Sequence, residues 1–152
     1  MVARIADFGL AISLPESSNL NQSGRPSGLR GTTGYIAPEY GLGCKMTTKG
    51  DTYSFGILLL EILTRKKPTH RMFRGGLNLH NFVWMAFPNN LMDIADPLMM
   101  VMTSANEGNG KRVEECLTRM FSIGLACSKT SPKDRPSMCA VSRELESIRN
   151  SF

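Results

Sequence analysis

The side chains in this sequence equipped for chemistry gather in four blocks. Asp7-Phe8-Gly9 sets a carboxylate on a glycine turn. About thirty residues later comes Gly31-Thr32-Thr33-Gly34-Tyr35-Ile36-Ala37-Pro38-Glu39, then Asp51-Thr52-Tyr53-Ser54-Phe55-Gly56, and near the end Lys133-Asp134-Arg135-Pro136. Taken alone, Asp-Phe-Gly is a common tripeptide and reads as a strand turn with Gly9 at positive φ. The order and company of the blocks give it meaning. Sulfur and imidazole chemistry finds less support: Cys44, Cys116, Cys127 and Cys139 show no CxxC spacing, and His70 stands apart from His80. Neither a zinc site nor a disulfide framework is expected, and free thiols suit a reduced compartment.

A chain of 152 residues can hold one ordinary domain with a real core. With 41% hydrophobic and 20% charged residues, its composition is that of a globular protein. The net charge of +5 raises a nucleic-acid reading. The basic residues (Arg30, Lys45, Lys49, Arg65 to Lys67, Arg71, Arg74, Lys111, Arg112) form no single periodic stripe, and no nucleic-acid motif accompanies them, so a solvated basic surface is expected instead. No stretch reaches the roughly 18 apolar residues of a membrane span. Met1-Val2-Ala3-Arg4 runs straight into a strand-like stretch, unlike a signal peptide.

The elements that would position these blocks follow from periodicity. Val2 to Ala6 and Leu10 to Leu14 read as short strands flanking the Asp7 turn. Residues 15–33, rich in Ser, Asn, Gly and Pro, read as a mobile loop. From Asp51 to Leu63, apolar residues cover nearly every side of a helix, which predicts a central helix buried all round. Pro68 to Gly76 is a basic loop. Leu77 to Phe87 reads as a helix with Leu79, Phe82, Val83 and Ala86 on one face. Leu91 to Ala95 is a short helix stopped by Asp96-Pro97, and Leu98 to Gly110 is a variable connection. Val113, Cys116, Leu117, Met120, Phe121, Gly124 and Cys127 keep helical spacing. The last helix carries Met138, Val141, Leu145 and Ile148, with Asp134 or Ser137 as candidate cap. Neither an internal repeat nor a dividing linker is visible.

Asp7-Phe8-Gly9 and Ala37-Pro38-Glu39 resemble the two ends of a protein-kinase activation segment, in the right order. With the blocks at Asp51 and Arg135, the resemblance to the kinase C-terminal lobe covers essentially the whole chain. Ala37-Pro38-Glu39-Tyr40-Gly41, Gly56-Ile57-Leu58-Leu59-Leu60-Glu61, Gly75-Gly76-Leu77-Asn78-Leu79-His80 and Ile123-Gly124-Leu125-Ala126-Cys127-Ser128 look like plant leucine-rich-repeat receptor-like serine/threonine kinases, most of all the immune-receptor branch. The fold so implied is mainly α: the C-terminal helical half of a protein-kinase fold, with a short β fragment and the activation segment at the N-terminus. Residues 1–152 would form a partial kinase domain, with an activation segment over 7–39 and a helical lobe over 40–150. The implied parent sits in the plasma membrane with its kinase on the cytosolic side, and this chain would be cytosolic.

The resemblance also implies roles. Asp7 would bind Mg²⁺ bridging the ATP phosphates, since a hard cation takes oxygen ligands. Phe8 would pack in the hydrophobic spine, and Gly9 would permit the sharp turn. Thr32 would sit near a catalytic aspartate. Gly34, Tyr35, Ile36 and Ala37 would line the platform for the substrate residue after the phosphoacceptor. Glu39 and Arg135 would form a buried ion pair. Asp51 would hydrogen-bond the catalytic-loop backbone or act merely as an N-cap. Ser17, Ser18, Ser23, Ser27, Thr32 and Thr33 are candidate phosphosites, against the alternative of a simply polar loop.

No catalytic aspartate is assigned, because the sequence carries no glycine-rich G-x-G-x-x-G loop, no strand lysine and no HRD-type loop. Phosphoryl transfer needs these groups together. The expectation is therefore a chain that is unstable, inactive or both by itself, with an apolar patch on the Phe55 to Leu63 helix. Its partners would be protein substrates or other kinases. Three readings stay open: the C-terminal part of a receptor-like kinase, a non-catalytic lobe acting as a binding module or decoy, and a minimal kinase.

Overall fold

Tyr40 begins the central helix of the described residues in an indirect way. The computed structural model describes residues 33–101 and 110–151. In it, α1 (Pro38–Gly41) lays the Tyr40 hydroxyl against Thr47, accepting its N–H at 2.9 Å and donating to its carbonyl at 3.0 Å. That bond sets the chain into α2 (Thr48–Thr64), whose N-cap Thr47 makes no side-chain cap of its own. Gly50 makes room: a methyl there would stand 1.8 Å from the Tyr40 hydroxyl. Asp51 is therefore not the N-cap. The helix starts three residues earlier (48 against 51), and Asp51 lies exposed in its first turn, where a carboxylate suits the helix dipole.

The α2 helix is central but not enclosed. Ile57, Leu59, Leu60 and Leu63 are buried, and α2 meets α3 (Leu79–Ala86), α6 (Gly110–Cys127) and the turn before α7 (Met138–Ser151). Leu58 and Ile62, one turn apart, are 46% and 52% exposed. Burial on every side is thus not found, whereas the apolar patch expected on the Phe55 to Leu63 helix is: apolar residues outnumber the neighbours that cover them. The helix ends at Arg65, a non-glycine residue in the left-handed region at φ 55°.

The longest interhelical contact joins α2 to α6 (Gly110–Cys127). Two glycines allow it. A methyl on Gly56 would fall 2.7 Å from the Ser128 backbone nitrogen and 2.7 Å from the Cys127 Cβ. A methyl on Gly124 would fall 2.5 Å from the Leu60 Cδ2. Each helix thus offers a bare backbone to the other. Val113, Leu117, Phe121 and Cys127 are buried here as their spacing predicts, and Cys116 and Met120 are half-buried beside them. Each large side chain so buried contributes about 1.5–3 kcal/mol.

Helix α3 (Leu79–Ala86) is capped by Asn78, whose side chain accepts the Asn81 N–H at 2.8 Å. Leu79 and Val83 enter the core, with Phe82 edge-on to Phe73 at 5.8 Å. Helix α4 (Leu91–Ile94) stops before Asp96-Pro97, as the sequence suggests, with Ala95 extended at its end, but the same pair also opens a new helix. That helix is α5 (Pro97–Val101): Asp96 accepts the Leu98 N–H at 3.0 Å, and a proline is at home in a first turn. The connection expected over Leu98 to Gly110 therefore opens helically, and residues 102–109 lie outside the described part. A 3₁₀ turn (Pro132–Asp134) leads to α7 (Met138–Ser151). Ser137 is its cap, accepting the Ala140 N–H at 3.2 Å, while Asp134 stays in the turn. Val141 and Ile148 face the core, and Arg119 of α6 binds Glu144 of α7 at 2.7 Å.

The described residues form a helical lobe, as expected, with no strand among them. The expected strands, Val2 to Ala6 and Leu10 to Leu14, lie outside the described residues, as does the loop over 15–32.

Candidate functional site

Arg135 follows the 3₁₀ turn, 96 positions from Glu39 in sequence, and the fold brings the two together. The guanidinium grips the carboxylate with both prongs, Nη1 to Oε1 at 2.7 Å and Nη2 to Oε2 at 2.8 Å. Its remaining N–H groups go to backbone carbonyls: Nε to Lys129 at 2.7 Å, Nη1 to Lys49 at 2.8 Å and Nη2 to Thr130 at 2.9 Å. All five donors of an arginine are thus paired. Arg135 is only 2% exposed, and the Tyr53 ring lies 4.9 Å from its Cζ. The Arg135 hydrogen bonds hold the Glu39 carboxyl below its usual range. Lys49 closes the arrangement by donating from Nζ to the Arg135 carbonyl. Glu39 also roots α1, so the pair ties the segment before it to the helical body.

That segment runs from Gly34 to Ala37 and lies against α2. The Ser54 hydroxyl donates to the Tyr35 carbonyl at 2.8 Å, and the Tyr35 hydroxyl donates to the Glu61 carboxylate. Burial, with the Glu61 bond and charge added, pushes the Tyr35 phenol up to about 12. Ala37 is fully buried and Ile36 half-buried. Gly34, at φ 94°, comes so close to the loop after α2 that a methyl would stand 2.9 Å from the Pro68 Cγ. The result is a short ledge fixed to α2 at two polar points and to the loop at a third.

Thr33 is exposed at the start of this ledge. Asp51 is exposed and makes no side-chain hydrogen bond among the described residues. Asp7, Phe8, Gly9, Ser17, Ser18, Ser23, Ser27 and Thr32 lie outside the described residues. Among the described residues, no group of three or more His, Cys, Asp or Glu side chains is placed to hold a metal ion. Nor is any described helix long and apolar enough to cross a membrane.

Sequence reasoning missed the Tyr35–Glu61 bond, the role of Lys49 and the ring of Tyr53. Lys49 and Tyr53 do stand four positions apart on α2, a one-face spacing that marks them as a pair. A second missed link joins α3 to the end of α6. His80 Nδ1 lies 2.7 Å from the Ser128 hydroxyl, which donates its own hydrogen to the Gly124 carbonyl at 2.7 Å. With the Ser128 hydrogen on Gly124, the His80 tautomer that completes the link is the one protonated at Nδ1. Burial, assisted by Lys129, lowers its pKa.

A family model described as protein tyrosine and serine/threonine kinase matches residues 1–145. A probable leucine-rich-repeat receptor-like serine/threonine-protein kinase of Arabidopsis thaliana is 42% identical over the whole of this chain, which covers 15% of that relative. The receptor kinase-like protein Xa21 of Oryza sativa is 38% identical, again over the whole chain and 15% of the relative. The receptor-like kinase EFR of Arabidopsis thaliana is 39% identical over the whole chain and 14% of its own length. The chain thus spans about a seventh of the length of these curated relatives.

Proposed function

The chain belongs to the protein tyrosine and serine/threonine kinase family, and from that premise we propose that it is the substrate-facing helical lobe of a receptor-like serine/threonine kinase. The observation that carries this reading is the ledge from Gly34 to Ala37, held at one end by the Glu39–Arg135 pair and along its length by Ser54 and Glu61. A ledge of turn backbone pinned at several points beside an exposed threonine suits a site where a peptide is laid down. The whole chain is read as a partial kinase domain, with residues 7–39 as activation segment and 40–150 as helical lobe. ATP-dependent phosphorylation of protein serine or threonine is the reaction of the intact kinase, placed on the cytosolic side of the membrane.

Mg²⁺ and ATP belong to that reaction. Asp7 is the residue assigned to the metal, with Phe8 and Gly9 beside it. The described residues supply no group of three or more His, Cys, Asp or Glu side chains placed to hold a metal ion. Ser17, Ser18, Ser23, Ser27, Thr32 and Thr33 are the proposed phosphorylation sites of the segment.

The test is an exchange. This chain replaces the matched segment of the Arabidopsis relative with 42% identity, and the hybrid kinase domain is assayed with Mg-ATP and a general protein substrate. Serine/threonine phosphorylation that disappears on Asp7→Ala is the expected result. A folded hybrid without activity counts against the reading.

Exposure of Leu58 and Ile62 favours a second reading, a non-catalytic lobe that acts through protein contacts. It predicts that the 152-residue chain is soluble, unfolds cooperatively and does not bind ATP. Aggregation of the purified chain would count against it.

A further inference from the structure

The loop after α2 carries charge of a single sign directly beside the ledge. Arg65, Lys66, Lys67, Arg71 and Arg74 fall within it together with His70, and no Asp or Glu occurs from residue 62 to 92. All are exposed except Lys66, which is half-buried. The nearest carboxylates are already engaged: Glu61 accepts from the Tyr35 hydroxyl, and Asp96 lies 4.0 Å from Arg65. The other cations of the loop have no carboxylate within 4.0 Å among the described residues.

This loop is held in place. Its backbone turns twice, with the His70 N–H on the Lys67 carbonyl and the Phe73 N–H on the His70 carbonyl, both at 2.9 Å. Phe73 anchors it to Phe82 of α3, and His70 lies edge-on to Phe73 at 6.3 Å. At the other end, Pro68 touches Gly34 of the ledge, with Thr69 Cγ2 next to it. Arg65 occupies a left-handed position that glycine fills without strain. Cations carried on a braced backbone beside a peptide ledge can read charge in register, which a floppy basic tail cannot.

We propose that the basic loop makes the ledge selective for acidic segments: peptides with Asp, Glu or phosphorylated residues at a fixed spacing from a serine or threonine whose following residue lies on Gly34 to Ala37. The proposal rests on the reading of those residues as a peptide platform. An anionic membrane surface would also attract the loop, but would need no register and no neighbouring ledge.

The experiment uses the full 152-residue chain and fluorescent peptides of uniform length, neutral apart from one Asp pair moved stepwise away from a central serine. Fluorescence anisotropy at low salt should show binding about tenfold tighter at one spacing than at the others or for the uncharged peptide. The triple variant K66E/K67E/R71E should lose that preference while keeping its circular dichroism, since these side chains stand away from the core. Equal binding at every spacing, or a preference untouched by the triple variant, overturns the proposal. So does binding to phosphatidylserine vesicles that depends on the same three residues without any peptide spacing preference. Tyr35→Ala separates the two readings: loss of the spacing preference supports both, whereas its survival removes the platform reading and leaves the acidic selectivity of the loop standing.

Discussion

Arg135 and Glu39 meet across 96 positions in a two-pronged ion pair, with every other donor of the guanidinium spent on backbone carbonyls around Lys49, Lys129 and Thr130. An arginine so enclosed is a structural bolt. It joins the base of the ledge, the start of α2 and the turn before α7 at one point.

Removing one half of that bolt strands the other. Arg135→Ala should destabilise the chain by about 3–5 kcal/mol, because it leaves a carboxylate without its partner and three carbonyls without donors. Urea unfolding followed by circular dichroism measures this. A loss below about 0.5 kcal/mol would show that the pair adds nothing to the fold.

The same pair predicts acid sensitivity. The folded Glu39 carboxyl titrates below its ordinary value of 4.5. Its contribution is therefore complete above that value and is lost as pH falls through the folded pKa. Stability measured from pH 6 downward should fall in this window, and the fall should be shallower in Glu39→Gln. Identical pH profiles for the two proteins would contradict the assignment.

His80 acts in a higher window. Burial lowers its folded pKa from 6.5, which favours the neutral ring in the folded chain, where Nδ1 meets the Ser128 hydroxyl. Its contribution is present above pH 6.5 and declines as pH falls through the depressed value, because the unfolded chain takes up the proton first. Thermal unfolding between pH 8 and 5 should show this decline, and His80→Gln should flatten it. An unchanged slope in the variant would rule His80 out as its source.

Gly56 tests the helix crossing. Gly56→Ala adds helix propensity yet forces a methyl to 2.7 Å from the Ser128 nitrogen, a backbone atom with little freedom to move. Overpacking of this kind costs about 1–3 kcal/mol and outweighs the roughly 1 kcal/mol gained from propensity. Calorimetry should give a lower Tm. A higher Tm would mean that α2 and α6 separate easily.

Much of this protein was legible in its sequence because it rests on local periodicity and on the four blocks. The spacing from Val113 to Cys127 specifies α6 and its buried face, and Leu79, Phe82, Val83 and Ala86 do the same for α3. Glu39 and Arg135 were paired through resemblance to the kinase C-terminal lobe, and distance in the chain proved no obstacle. Tertiary structure decided the rest. Leu58 and Ile62 read as core by composition, but burial depends on which neighbours arrive, and no periodicity counts them. Asp51 looked like a helix start until Tyr40 began the helix at Thr47 from another element. The Tyr35–Glu61 bond and the seat of Pro68 on Gly34 join segments whose residues carry no mutual signal. Periodicity reports how a segment faces a core, whereas contacts between segments exist only once the chain has closed.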